Sequence, residues 1–167
     1  MENAEKKNTN KKTTIIIIAI IVLIIALCIG AYSLLNKPKT AISADTFNSS
    51  MTDKNYAVVD IINQYNEYDY IKKAYVAKND NYQIEFYETS NNDYAIQMYD
   101  NNKQTFENEK SDSSIETTKS AKNYSVYSLT VNGKYKYISR IDNTIIYINA
   151  DKEYKDEIKE VIKELGY

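Results

Sequence analysis

From Ile15 to Leu35 the chain carries no charged residue. At about 1.5 Å rise per residue this run makes a helix of roughly 31 Å, close to the roughly 30 Å hydrocarbon thickness of a bilayer. A helix buried in a globular core shows polar positions at helical spacing. Here only Cys28, Gly30, Tyr32 and Ser33 interrupt the aliphatic residues, all toward the C-terminal end. The pattern therefore predicts a transmembrane helix over 15–35. Cleavable signals usually have a shorter apolar core, about 7–15 residues, so cleavage near the small residues Ala41 to Ser43 is the minority reading. A lipoprotein signal ending at Cys28 ranks last, because Leu27 stands where that motif needs a small residue and the apolar run continues past the cysteine. Cys28 is read as a small apolar packing residue inside the helix.

Beyond the span the pattern changes to short alternating and periodic segments. Pro38 disfavours continuation of the helix and marks a linker over 36–43. Ser43 can cap a short helix whose apolar residues Ala44, Phe47 and Met51 share one side, ending near Asp53. Strands are predicted at Tyr56 to Ile61, Tyr70 to Ala77 and Tyr82 to Glu88, the last two forming a hairpin across Asn79 to Asn81. Ser90 and Asp93 suggest a capping box opening a helix to about Glu109, with Ala95, Met98, Tyr99 and Phe106 inward. The polar stretch Lys110 to Asn123 reads as a loop. Three strands follow as a meander: Asn132-Gly133 is a strong hairpin signal, and Asp142-Asn143 makes the next turn. Asp151 caps a final amphipathic helix carrying Tyr154, Ile158, Val161, Ile162 and Leu165, which stops at Gly166.

The fold class is thus α+β, with an antiparallel sheet of about six strands and helices packed on one face. A 62-residue offset superposes Tyr75 on Tyr137, Asp80 on Asp142, Asn81 on Asn143 and Ile84 on Ile146, which raises a duplicated βββα unit as a further expectation. The organisation expected is a cytoplasmic tail 1–14, a transmembrane helix 15–35, a linker 36–43 and one extracytoplasmic α+β domain 44–167. Orientation rests on Lys6, Lys7, Lys11, Lys12 and the α-amino group before the span, against Lys37 and Lys39 after it.

Composition narrows the chemistry. With no histidine among 167 residues, Ser-His-Asp and Cys-His nucleophilic machinery and histidine-ligated zinc are excluded. The single cysteine lies in the span, so the domain has no disulfide and no thiol nucleophile. Three glycines cannot write a phosphate-binding loop or a dinucleotide fingerprint. Seventeen tyrosines must supply much of the core in place of aliphatic residues. Heavy use of Ile, Asn, Lys and Tyr also fits the codons of an AT-rich bacterial genome.

From Thr40 onward 15 basic residues face 21 acids, a net charge of −6 that argues against nucleic acid as a partner. No catalytic, cofactor-binding or metal-binding residue is nominated. Two surface features are singled out. If one sheet face is open, Lys72, Lys134, Lys136 and Arg140 form a basic strip on it, with Tyr135, Tyr137 and Ile141 turned inward. Tyr65, Tyr68 and Tyr70 suit sugar stacking or protein contact, against the plainer reading that their rings fold over the core.

The expectation is a non-enzymatic, single-pass module of a bacterial cell envelope, its domain outside the cell membrane, that binds another envelope or membrane protein or a wall polymer. Alternatives are a small subunit or regulator of a membrane complex, or a carboxylate-based surface hydrolase.

Overall fold

The computed structural model describes the backbone of residues 2–35 and 37–167 and the side chains of residues 16–33 and 37–167. The lysines before the span, on which orientation rests, lie outside the described side chains, as do Ile15, Leu34, Leu35 and Asn36. Two compact units result, residues 1–37 and 38–167. Helix α1 (Glu2–Leu35) forms the first. Its segment Ile16–Ser33 is long and apolar enough to cross a bilayer, and this is compatible with a single-pass anchor or with a signal sequence.

The second unit is α+β. Helix α2 (Ala44–Asp53) begins as expected: the Ser43 hydroxyl accepts from the Thr46 N–H at 3.1 Å, and Ala44, Phe47 and Met51 are buried. Strands β1 (Ala57–Asp60), β2 (Ile71–Lys78) and β3 (Gln83–Thr89) follow, then α3 (Asn92–Glu107), β4 (Ile115–Ser120), β5 (Tyr124–Val131), β6 (Lys134–Ile141), β7 (Thr144–Asp151) and α4 (Lys155–Glu164). The sheet runs β1-β2-β3-β7-β6-β5-β4, every neighbouring pair antiparallel. At the β5–β6 turn, Asn132 and Gly133 both take positive φ, 49° and 77°, as a tight primed hairpin requires.

Four expectations are corrected. The sheet has seven strands rather than about six, because Ile115–Ser120 is a strand and not a loop. It pairs with β5 along its whole length, yet every side chain in it is exposed, so no alternation marks it in the sequence.

Helices cover both faces, not one. β3 and β4 run in the same direction at positions separated by β7, β6 and β5, so the connection between them must cross a sheet face, and α3 makes that crossing. α2 and α4 pack on the opposite face: Phe47, Met51, Ile158 and Ile162 share one core with Tyr75, Phe86 and Ile146. Ala95, Tyr99 and Phe106 of α3 share the other with Ala74, Tyr87 and Ile145.

No duplicated unit is shown. Tyr75 and Tyr137 do lie in the same core, but the helices following the two hairpins pack on opposite faces.

Helix capping also differs from the expected pattern. Asn91, not a Ser90–Asp93 box, caps α3, its side chain accepting from the Tyr94 N–H at 3.1 Å. Asp151 makes no side-chain cap bond; its carboxylate accepts from Lys134 Nζ at 2.7 Å, and a 3-10 turn over Lys152–Tyr154 leads into α4.

Candidate functional site

The segment joining β1 to β2 is held by its own backbone. Asp60 accepts from the Ile62 N–H at 2.8 Å and opens a 3-10 turn over Ile62–Tyr65. Tyr68 N–H then donates to the Tyr65 carbonyl (2.8 Å), Ile71 N–H to that of Tyr68 (2.9 Å), and Ser90 N–H to that of Tyr70 (2.8 Å). These bonds fix three closely spaced tyrosines beside the start of α3.

Five tyrosine rings touch in sequence. Tyr87 meets Tyr65 edge-on at 5.5 Å, Tyr65 meets Tyr68 at 6.4 Å, and Tyr68 meets Tyr70 edge-on at 5.8 Å. Tyr70 then stacks on Tyr94 of α3 at 4.7 Å with only 11° between planes. The inner end is hydrogen-bonded, Tyr65 to Tyr87 at 2.8 Å and Tyr87 onward to the Glu85 carboxylate. The outer end is open, with Tyr68 48% and Tyr94 38% exposed.

Tyr65, Tyr68, Tyr70 and Tyr94 wall a cleft of about 270 Å³ whose remaining lining is Ile71, Gln97, Met98, Asn101 and Asn102. None of these side chains is charged. Asn102 donates to the Met98 carbonyl at 2.8 Å. Among the described residues, the Gln97 and Asn101 amides and the Tyr68, Tyr70 and Tyr94 hydroxyls have no protein hydrogen-bond partner. Aromatic faces with uncommitted amides and hydroxyls suit a polar, uncharged ligand with apolar ring faces. At just under the ~300 Å³ lower bound for drug-sized ligands, the cleft suits one or two rings at a time.

Two members of the ring chain, Tyr70 and Tyr87, are held neutral. Burial, followed by neighbouring Tyr68 and Tyr94, raises the Tyr70 pKa, and burial, followed by Glu85, raises that of Tyr87 far above its ordinary value. In the cores burial pushes Tyr99 and Tyr135 up to about 12. Since the folded form keeps these protons to higher pH than the unfolded chain, stability is intact below pH ~10 and is lost as pH rises through the folded values. Alkaline titration followed by phenolate absorbance and circular dichroism is expected to show buried tyrosines ionising in one cooperative step with unfolding, above pH ~11. A gradual titration of all tyrosines near pH ~10 with the fold intact would contradict this.

The expected basic strip does not form. Lys136 and Arg140 are buried beneath α3: Lys136 is ion-paired with Glu109 and lies 5.2 Å from the Phe106 ring, while Arg140 donates to the Asp142 carbonyl at 3.1 Å. Of its other members, Lys134 pairs with Asp151 and Lys72 donates to the Asp69 carbonyl at 2.7 Å. Tyr135, Tyr137 and Ile141 point inward as expected. Another depression, along Ser50, Asp53, Lys54, Glu164 and Leu165, brings two carboxylates into one hollow, and Glu164 there is ion-paired with Lys54. Among the described residues no group of three or more potential ligand side chains could hold a metal ion.

Sequence reasoning singled out Tyr65, Tyr68 and Tyr70 but missed Tyr94 and the amides of α3. In the sequence Tyr94 and Gln97 are ordinary polar-side positions of an amphipathic helix, and only the crossing of α3 over the sheet brings them to the loop. In comparisons with known proteins, no family model, no curated protein and no solved structure matches this chain.

Proposed function

We propose that this protein is a single-pass, membrane-anchored binding module of the cell envelope. Its body lies outside the membrane and takes a neutral saccharide segment of an envelope polymer into the tyrosine cleft. The reading rests on one observation above all: a concave, charge-free cleft walled by four tyrosines, in a body whose net charge from Thr40 onward is −6. A patch without charges on so charged a body favours an uncharged ligand, since a charged one would leave its charge unpaired in the cleft. The lysine-rich N-terminal flank of the span supports a cytoplasmic amino terminus. The action is binding rather than turnover, because no lining residue supplies an acid, a base or an activated nucleophile.

The test is calorimetric titration of the full chain in nonionic detergent with two neutral probes, chitotetraose and maltotetraose. Saturable binding of at least one is expected. Tyr68→Ala and Tyr94→Ala should each weaken it about tenfold, equivalent to ~1.4 kcal/mol. If neither oligosaccharide binds, or both variants bind as the parent does, the reading fails.

A further inference from the structure

On the face that carries α2 and α4 the helices stop short of the sheet's edge. Tyr124, Val126 and Ser128 of β5 are only half-buried there, and β4 is open. The step from α4 down to these strands forms a groove of about 290 Å³, on the opposite face of the sheet from the tyrosine cleft. Tyr124, Tyr135, Tyr137 and Tyr167 line it together with four lysines, Lys39, Lys119, Lys159 and Lys163. No Asp or Glu side chain lines it.

The lysines are poorly neutralised. Lys159 and Lys163 have only exposed partners one turn away on their own helix, Asp156 and Glu160, each at 3.6 Å, and such pairs are worth little. Among the described residues Lys39 and Lys119 have no ion pair. Burial, and then the like charge of Lys119, draw the Lys39 pKa down. Lys39 is fixed rather than trailing: its N–H donates to the Asn123 side chain at 3.0 Å, whose amide donates back to the Lys39 carbonyl at 2.7 Å. Its ammonium lies 5.2 Å from the Tyr124 ring. One turn before Lys159, Lys155 donates to Thr130 at 3.1 Å and lies 5.4 Å from the Tyr135 ring. Lysines therefore recur every fourth residue along α4, a row about 12 Å long.

We propose that this groove binds a linear phosphodiester polyanion, its phosphates beside the lysines and the C–H faces of its polyol linkers against the tyrosine rings. Charge complementarity selects this occupant: on a body that is acidic overall, with a net charge of −6 from Thr40 onward, a strip lined by lysines and by no Asp or Glu side chain is where a polyanion can approach. A row of that length engages several phosphates at once, which a single phosphate group cannot use. The proposal is independent of the saccharide cleft, so either can fail alone.

The experiment places the full chain in phosphatidylcholine nanodiscs and titrates it with oligomeric poly(glycerol phosphate). Saturable binding that weakens with salt is expected. The variant carrying Lys119→Gln and Lys159→Gln, both on exposed side chains, should lower affinity at least tenfold and flatten the salt dependence. Lys72→Gln with Lys78→Gln, on the exposed side chains of β2, should leave both unchanged, as should Tyr68→Ala. Absence of binding, or an equal loss in the β2 control, overturns the proposal. Equally tight binding of monomeric glycerol 3-phosphate, which presents one phosphate as a lipid headgroup does, overturns it in favour of a single-anion site.

Discussion

Introducing aspartate at both Ile20 and Ile24 is expected to release the chain from the membrane. Every described side chain from Ile16 to Ser33 is exposed to its surroundings, so nothing in the protein shelters a charge placed there. A carboxylate near the centre of a spanning helix costs about 3 kcal/mol on the insertion scale, so two cost roughly 6 kcal/mol and also interrupt the apolar run. Expressed in cells and extracted with alkaline carbonate, the parent should remain in the pellet and the Ile20→Asp, Ile24→Asp chain should move largely to the supernatant. A variant that stays with the membrane fraction would mean that α1 is not held by lipid, and the anchored reading would go with it.

The second large effect belongs to the body. Phe86 is fully buried on β3, an inner strand beside the central β7, and stacks on Phe47 of α2, with 4.9 Å between ring centroids and 19° between planes. Its ring therefore joins the middle of the sheet to the first helix of the body. Phe86→Ala removes that contact and leaves a cavity that neighbouring strands, covered on both faces, cannot close, a cost of about 3–5 kcal/mol. Against a typical stability of about 5–15 kcal/mol this is a large fraction. Urea unfolding of the full chain in nonionic detergent, followed by tyrosine fluorescence, should show a lower midpoint with an unchanged slope. Val59→Ala, at a side chain 56% exposed on β1, serves as the control and should shift stability by no more than about 0.5 kcal/mol.

What the sequence revealed and what it hid divide along one physical line. Features written by neighbours in the chain were legible: the Ser43 cap, the Asn132-Gly133 turn, and the buried Ile158 and Ile162 of α4 with Leu165 just past its end. Features written by distant partners were not. β4 owes its strand conformation to the backbone of β5 and carries no apolar signal of its own. Lys136 and Arg140 look like solvent positions by alternation, yet long side chains can lie beneath a helix when an acid, a ring or a carbonyl meets their charged ends. The tyrosine cleft was half legible, since three of its four rings come from one short run and the fourth from a helix on the far side of β3. The lysine groove was hidden, because its cations come from the segment before α2, from β4 and from α4.

The position of β7 bears on when the body can form during synthesis. It is the last strand to be made, yet it lies at the centre, pairing β3 on one side and β6 on the other. Until Thr144 to Asp151 have emerged, the three N-terminal strands and the remaining C-terminal ones are separate ribbons, each with an open apolar edge. The keystone of the sheet thus leaves the ribosome after the six strands it joins. Closure of the sheet therefore waits for Thr144–Asp151, and termination just after β6 leaves two unjoined sticky ribbons rather than a smaller working protein.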